Sequence, residues 1–418
     1  MDLLLFAFYL LLFSWLVTKL RFFKASGLTN TLLVSLFLCK IIASVIYGWQ
    51  GVRYSYLIQM GDTWRWHFYS LQDLAVLKKT PLLFFKDLSN TYEHGYSGFL
   101  SSRSSWWNDL HRGAFTKLLA VFNFFSLKNY FINSIFYSFV TFVGGVAFFR
   151  TVQDAFPGNK KANLITVFLL PSFLYWCSGI HKDGLTFLGL SLVIFVVYFY
   201  IKHNQFSIYR LIALVLGLGL LLLYRNYILI VLLPALLTWI IAEKLRTNVV
   251  LTFVLAYFLF FIAFFTLPLL TPKLNLPKAV VEKQEDFLTL KGNSFVPVKK
   301  LEPNIQSFLK TAPYALELTV LRPFPSDAKH PFSVAAFIEN LFLLFIICFF
   351  IFFHKRQQAS PFFWFCLFLS LSIFLIIGYT VNFLGAIVRY RSLVFPLLIT
   401  ALVYQTDWWR IKSSLYNK

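Results

Sequence analysis

Apolar segments of bilayer-crossing length recur along most of this chain, and that repetition decides the fold class before any single residue does. Candidate spans run 2–18, 28–48, 130–149, 163–180, 184–201, 208–224, 227–242, 248–270, 332–353, 361–380 and 388–405. A helix needs about 20 apolar residues to cross the hydrocarbon. Backbone in that layer must satisfy its own hydrogen bonds, so helices are the only economical solution for segments of this kind. The composition agrees: 59% of the 418 residues are hydrophobic and only 13% charged, where a soluble domain carries about a quarter charged. The expected fold is therefore an all-α polytopic transmembrane helix bundle of about eleven spans, forming one domain over 1–418.

The segments between spans alternate in charge. Lys19, Arg21 and Lys24, then Arg150, Lys160 and Lys161, then Lys202 and Arg210, Lys244 and Arg246, Lys355 and Arg356, and Arg410 and Lys412 form short basic connections. Basic connections of this length stay in the cytoplasm. That assignment places the N-terminus outside, the C-terminus inside and Trp408-Trp409 at the last interface. The first apolar stretch lacks a basic n-region and a small-residue cleavage site, so it reads as a retained helix. A net charge of +21 could point to nucleic acid, but much of it lies in these connections and no basic arm or nucleic-acid motif accompanies it. Cys39, Cys177, Cys348 and Cys366 are scattered singly without metal spacing, as small buried hydrophobes would be.

Two long connections, about 49–129 and 271–331, fall on the other side. The first carries nine basic residues against five acidic. An external loop has no topological need for that excess, so an anionic ligand or anionic headgroups would explain it. Within it Trp106, Trp107, Leu110, Ala114, Leu118 and Leu119 follow Ser105 at helical spacing, which predicts an interfacial helix with Ser105 as its N-cap. The second opens on Pro268, Pro272 and Pro277 and predicts a short helix near 304–319.

Five polar clusters sit at span ends on that same outer face. Gly61-Asp62 puts a carboxylate after the second span, with His67 five residues on. A carboxylate there can take a proton from a sugar hydroxyl or hold a divalent metal ion, although Gly-Asp is also ordinary turn chemistry. His181-Lys182-Asp183 occupies a tight turn where charge against hydrocarbon is costly unless paired or facing a cavity. Lys182 suits a phosphate, with Asp183 in support, and a Lys-Asp pair marking the turn is the plainer alternative. Arg225-Asn226 interrupts the apolar run 211–241 and so predicts a hairpin, with Arg225 either on a phosphate or snorkelling to headgroups. Arg322 lies in a proline-stiffened Leu-Arg-Pro-Phe-Pro segment, with Phe324 available to a lipid tail and Glu317 or Glu339 as alternative ion-pair partners. Asn382 precedes Arg389 and Arg391, which lie where the last span should already enter lipid. An uncompensated arginine costs roughly 2.5 to 3.5 kcal/mol near the bilayer centre, which favours a wet cavity or polar ligand, and Pro396 favours a distorted or late-starting helix. Lys40, deep in the second span, could snorkel or neutralise a carboxylate.

By the order of these features the chain resembles multispanning bacterial surface-polysaccharide assembly proteins, namely GT-C-type glycosyltransferases and O-antigen-polymerase-like membrane proteins. The resemblance rests on Gly61-Asp62, the segment Pro171 to Asp183, Leu321 to Phe324, and Arg389-Tyr390-Arg391 followed by Pro396. It implies an inner-membrane protein that transfers or polymerises a sugar carried on a polyprenyl phosphate or diphosphate. Asp62 would be base or metal ligand, and Arg322, Arg389 and Arg391 would hold the substrate's phosphates. The acidic residue follows the second span here rather than the first, and no second acidic motif is evident, so metal dependence stays open. The rival expectation is a non-enzymatic transporter or envelope-machine subunit that binds an anionic lipid or polymer, with loop 271–331 available to a partner protein.

Overall fold

A computed structural model describes residues 2–54, 62–86, 106–245, 248–292 and 294–411. Gly61, Ser105 and the loop charges Asp87, Glu93 and Arg103 lie outside them. In chain order the helices are α1 (Asp2–Lys19), α2 (Arg21–Lys24), α3 (Asn30–Tyr54), α4 (Asp62–Lys79), α5 (Pro81–Lys86) and α6 (Trp106–Phe125). Next come α7 (Tyr130–Ala155), α8 (Lys160–Phe168), α9 (Pro171–Ser178), α10 (Lys182–His203), α11 (Ile208–Leu245) and α12 (Val249–Leu270). The series ends with α13 (Leu276–Leu288), α14 (Ile305–Leu316), α15 (Pro331–Phe353), α16 (Pro361–Thr380), α17 (Leu384–Ser392) and α18 (Phe395–Gln405). Among the described residues, pairing outside helices is limited to two isolated bridges, Phe295 with Phe383 and His354 with Thr406.

Eight helices, α1, α3, α7, α10, α11, α12, α15 and α16, are long and apolar enough to cross a membrane. The pair α17 and α18, bent by 62°, would make a ninth. This is an all-α polytopic bundle. The segment expected as one span over 163–180 is instead two short helices, α8 and α9. Its break at Leu169-Leu170 directly precedes Pro171, which cannot donate to the previous turn and disfavours helix in the residue before it. The two spans expected over 208–242 are two helices that meet within α11 at a kink, where Arg225 is non-helical (φ −150°, ψ 73°). The late-starting helix anticipated from Pro396 is α18, with that proline in its first turn. The two long connections are largely helical as well: α6 and α14 lie where helices were expected, whereas α4 and α13 were not anticipated.

Side-chain caps fix several helix starts. Asn159, Asn248, Asn275, Asn304 and Ser360 each accept a backbone N–H three residues on, satisfying one of the orphan donors of α8, α12, α13, α14 and α16 respectively.

The chain divides into two compact units. The first comprises residues 1–96, 104–151 and 173–226, and its core gathers Phe115 and Leu119 of α6, Tyr137 and Ala147 of α7, and Leu185, Leu188 and Leu192 of α10. Every residue of α10 from Asp183 to Val196 is buried, which makes it the central helix of this unit. The second unit comprises 97–103, 152–172 and 227–418. There α14 packs on α16 around Leu301, Phe308, Ala315 and Tyr379, and α8 meets α18 through a Thr400–Thr166 hydroxyl bond of 2.7 Å.

Candidate functional site

In the first unit the site grows from the turn that starts α10. His181 is extended (φ −156°, ψ 155°) at the N-cap position, but its ring does not cap the helix. Neighbouring helices pin this turn through its carbonyls. Thr63 of α4 donates to the Ile180 carbonyl at 3.0 Å and bonds the Tyr130 hydroxyl at 2.5 Å, while Tyr137 of α7 donates to the His181 carbonyl. Gly184 lets the turn close, because a Cβ there would stand 2.6 Å from both the Tyr137 hydroxyl and the Cys177 carbonyl.

Asp183 follows in the first turn of α10, where a carboxylate also interacts favourably with the helix dipole. It is fully buried, and Arg225 donates to its Oδ1 through Nε at 3.1 Å and through Nη2. A buried carboxylate and guanidinium are tolerable only when paired this closely. The pairing coincides with the one residue at which α11 leaves helical geometry. The other oxygen, Oδ2, lies 3.3 Å from His181 Nδ1. On the far side of the same ring, Nε2 lies 3.7 Å from Asp62 Oδ2. Asp62 begins α4 with its side chain 56% exposed, against 4% for His181 and 0% for Asp183.

The result is a line from solvent inward: Asp62, His181, Asp183, Arg225. A carboxylate on one imidazole nitrogen fixes the ring's orientation and favours the tautomer with its proton there, which leaves the opposite nitrogen to exchange protons. The two aspartates address opposite nitrogens of one ring, so the three side chains do not converge on a point where a cation could sit. Among the described residues no group of three His, Cys, Asp or Glu side chains does so.

His67 lies inside the unit rather than at this line. It is buried, with Nδ1 at 3.5 Å from Asn133 Nδ2, in a polar network where Asn133 donates to Asn123 and Asn123 to Ser70. The rings of Trp64 and Tyr130 approach it edge-on at 5.7 and 5.5 Å. Burial pushes its pKa down to about 4, so it is neutral at ordinary pH. Lys182 is half-buried at the first position of α10. Arg225, considered for a phosphate, is buried and committed to Asp183 by two nitrogens. Among the described residues Lys40 meets no carboxylate: its ammonium turns inward, donating to the Cys177 carbonyl at 2.8 Å and to Ser178 at 3.4 Å, which satisfies the end of α9.

The second unit holds the remaining expected residues. Arg391 is completely buried, and its Nη1 donates to the carbonyls of Thr319 and Arg322 at 2.7 and 2.5 Å. Its Nε and Nη2 have no hydrogen-bond partner among the described residues, nor do both side-chain polar atoms of buried Asn382, Nε of Arg322 or Oε2 of Glu339. Buried groups of this kind need water or a ligand to complete them. Arg322 pairs with Asp327 at 3.4 Å, in place of Glu317 or Glu339, and stacks on Phe324 at 5.1 Å. Glu339 instead accepts from the Ser172 amide at 2.9 Å. Arg389 is half-buried beside Tyr390.

The residue that sequence reasoning undervalued is His181. It was visible two positions before Asp183 in the flagged turn, but its role depends on α4 delivering Asp62 to the opposite ring nitrogen. No family model, no curated protein and no solved structure matches this chain.

Proposed function

We propose that this protein transfers or polymerises a sugar carried on a polyprenyl phosphate or diphosphate, and that Asp62, His181, Asp183 and Arg225 are its acid–base device. The observation that carries the reading is the His181 ring held between a buried, arginine-locked carboxylate and an exposed one. An imidazole oriented in this way suits general-base removal of a proton from a hydroxyl.

In the proposed reaction an acceptor hydroxyl at the exposed end gives its proton to the Asp62–His181 pair as its oxygen bonds to the anomeric carbon. The anomeric carbon–oxygen bond breaks, and its electron pair leaves with the lipid phosphate. Lys182 and the N-terminal amides of α10 lie at the same turn and would offset the charge that develops there. Arg322, Arg389 and Arg391 belong to the second unit, and the phosphate-holding roles that the resemblance implies for them are tested separately by substitution.

The proposed setting is a bacterial inner membrane. Counting α11 as two crossings at Arg225, and α8–α9 and α17–α18 as one broken crossing each, gives eleven spans. The basic connections then face the cytoplasm and the Asp62 end faces outward.

The test is transfer from a polyprenyl-linked sugar by membranes carrying wild-type protein, Asp62→Asn or His181→Gln. The expected outcome is a fall in kcat of about 100-fold or more in each variant, the scale of general acid–base catalysis, with a smaller change in donor KM. Full activity in both variants removes the acid–base role. Donor binding that persists with no product from the wild type would instead favour a non-enzymatic transport or envelope-assembly role.

A further inference from the structure

At the opposite end of α10 two arginines converge on one aromatic platform. Phe199 lies about 24 Å along the helix from Asp183, at ~1.5 Å per residue, so this place is separate from the acid–base line. The rings of Phe195 and Phe199 stand 4.8 Å apart. The Arg150 guanidinium, near the end of α7, lies 4.9 Å from the first ring centroid and 6.0 Å from the second, and 5.2 Å from Phe22. The Arg210 guanidinium, in the first turn of α11, lies 5.6 and 5.3 Å from the same two rings. The two cations are close enough to feel each other's charge.

Arg210 is held in place by Gln205, with Nη1 on its carbonyl at 2.8 Å and Nη2 on its side chain. Arg150 has no hydrogen bond or ion pair among the described residues. Its head lies over aromatic faces and within electrostatic reach of a second cation.

A snorkelling arginine extends its head outward to water. Arg150 is instead half-buried against three phenylalanines, with its planar fork of five donors unused. Two guanidinium groups that share a platform repel one another unless an anion bridges them. A phosphate group carries several acceptor oxygens in the geometry that such forks bind in pairs.

We propose that Arg150 and Arg210 form a phosphate clamp at this end of the first unit, taking the phosphate oxygens of an anionic lipid headgroup or of a free phosphate compound. The clamp does not depend on the acid–base reading. The aromatic platform presets the direction of both guanidinium groups, and Gln205 leaves Arg210 with donors to spare.

The experiment uses full-length protein in neutral detergent, titrated with phosphatidylglycerol, phosphatidylcholine or inorganic pyrophosphate, and reads bound ligand by native mass spectrometry. Wild type is compared with Arg150→Gln, Arg150→Lys and a charge-matched lysine control, Lys161→Gln, which removes one exposed cation. The expected result is a preference of wild type and control for phosphatidylglycerol over phosphatidylcholine, with affinity at least about tenfold weaker in Arg150→Gln. Arg150→Lys should recover part of that loss, since it keeps the charge but not the fork. An Arg150-dependent response to pyrophosphate with none to phosphatidylglycerol assigns the clamp to a soluble phosphate compound. Arg150→Gln binding both anions as wild type does overturns the proposal, and so does an equal loss in the lysine control. Arg150 makes no polar contact among the described residues, so Arg150→Gln leaves no protein group without its partner, and a melting temperature near wild type shows that it is folded.

Discussion

Replacing Asp183 by Asn changes one buried charge and almost no volume, which makes it the sharpest probe of the line that ends at Arg225. In the folded protein Asp183 is 0% exposed and the Arg225 side chain 4%, with two guanidinium nitrogens on one carboxylate oxygen. Neutralising the acid leaves Arg225 as a buried cation whose two donors face a weaker acceptor. Breaking a buried pair from one side typically costs about 3–5 kcal/mol. Arg225→Gln, which leaves the carboxylate uncompensated, should cost a similar amount. The double variant Asp183→Asn/Arg225→Gln removes both charges, and its cost should fall short of the sum by about 2 kcal/mol or more. Equilibrium unfolding in a denaturing detergent, followed by the fluorescence of the 11 tryptophans, supplies the cycle. Additive effects, or single variants within about 1 kcal/mol of wild type, would refute the claim that this pair holds the turn together.

Three further outcomes follow from other sites. Gly378→Ala should cost about 3 kcal/mol or prevent folding, because its Cβ would stand 2.1 Å from the Ala315 carbonyl oxygen and 2.6 Å from its carbon, and backbone cannot swing aside. Gly219→Ala meets nothing within 4 Å and should be neutral or stabilising by up to about 1 kcal/mol; monodispersity and detergent unfolding separate the two. His67 should make stability pH-dependent. Its folded pKa, about 4, lies below the ordinary value of 6.5, so the unfolded chain takes the proton first as the medium acidifies. The contribution is complete above pH 6.5, declines as pH falls and is fully lost below about pH 4, a change of about 3 kcal/mol at 1.36 kcal/mol per unit. His67→Gln should flatten that part of the stability curve, and an unchanged slope would show that the imidazole titrates normally in the fold.

The bundle was legible because apolar length is a local signal that does not wait for tertiary structure. The break in α11 was legible for the same reason, since Arg225 stands alone in an apolar run. α4 was hidden because the face it buries consists of Thr63, His67, Ser70 and Leu74, so a search for apolar periodicity passes over it. α8 and α9 were fused into one expected span because their joint composition satisfies the length rule, and only Pro171 marks the interruption. The destinations of the arginines were the least legible. Arg391 was expected to reach a wet cavity or a polar ligand; its Nη1 ends on the carbonyls of Thr319 and Arg322, while Nε and Nη2 have no partner among the described residues. Those carbonyls are open because the chain over Glu317–Leu321 winds as a π-helical turn and ends at Arg322, a local event that composition does not announce.

α10 shows why the chemistry of the first unit gathers where it does. Its interior is apolar all round apart from Thr186 and Ser191, and everything from Asp183 to Val196 is enclosed. A helix buried on every side has no polar face to offer a ligand, so ionisable groups can meet water only at its two ends. One end carries His181 and Asp183, and the other carries Phe195 and Phe199 beneath Arg150 and Arg210. About 24 Å of close-packed helix separates them, well beyond the range at which side-chain substitutions share partners. Asp183→Asn and Arg150→Gln should therefore change unfolding free energy additively, to within about 0.5 kcal/mol. A larger interaction energy in that double variant would mean that α10 shifts as a unit and carries a disturbance from one end to the other.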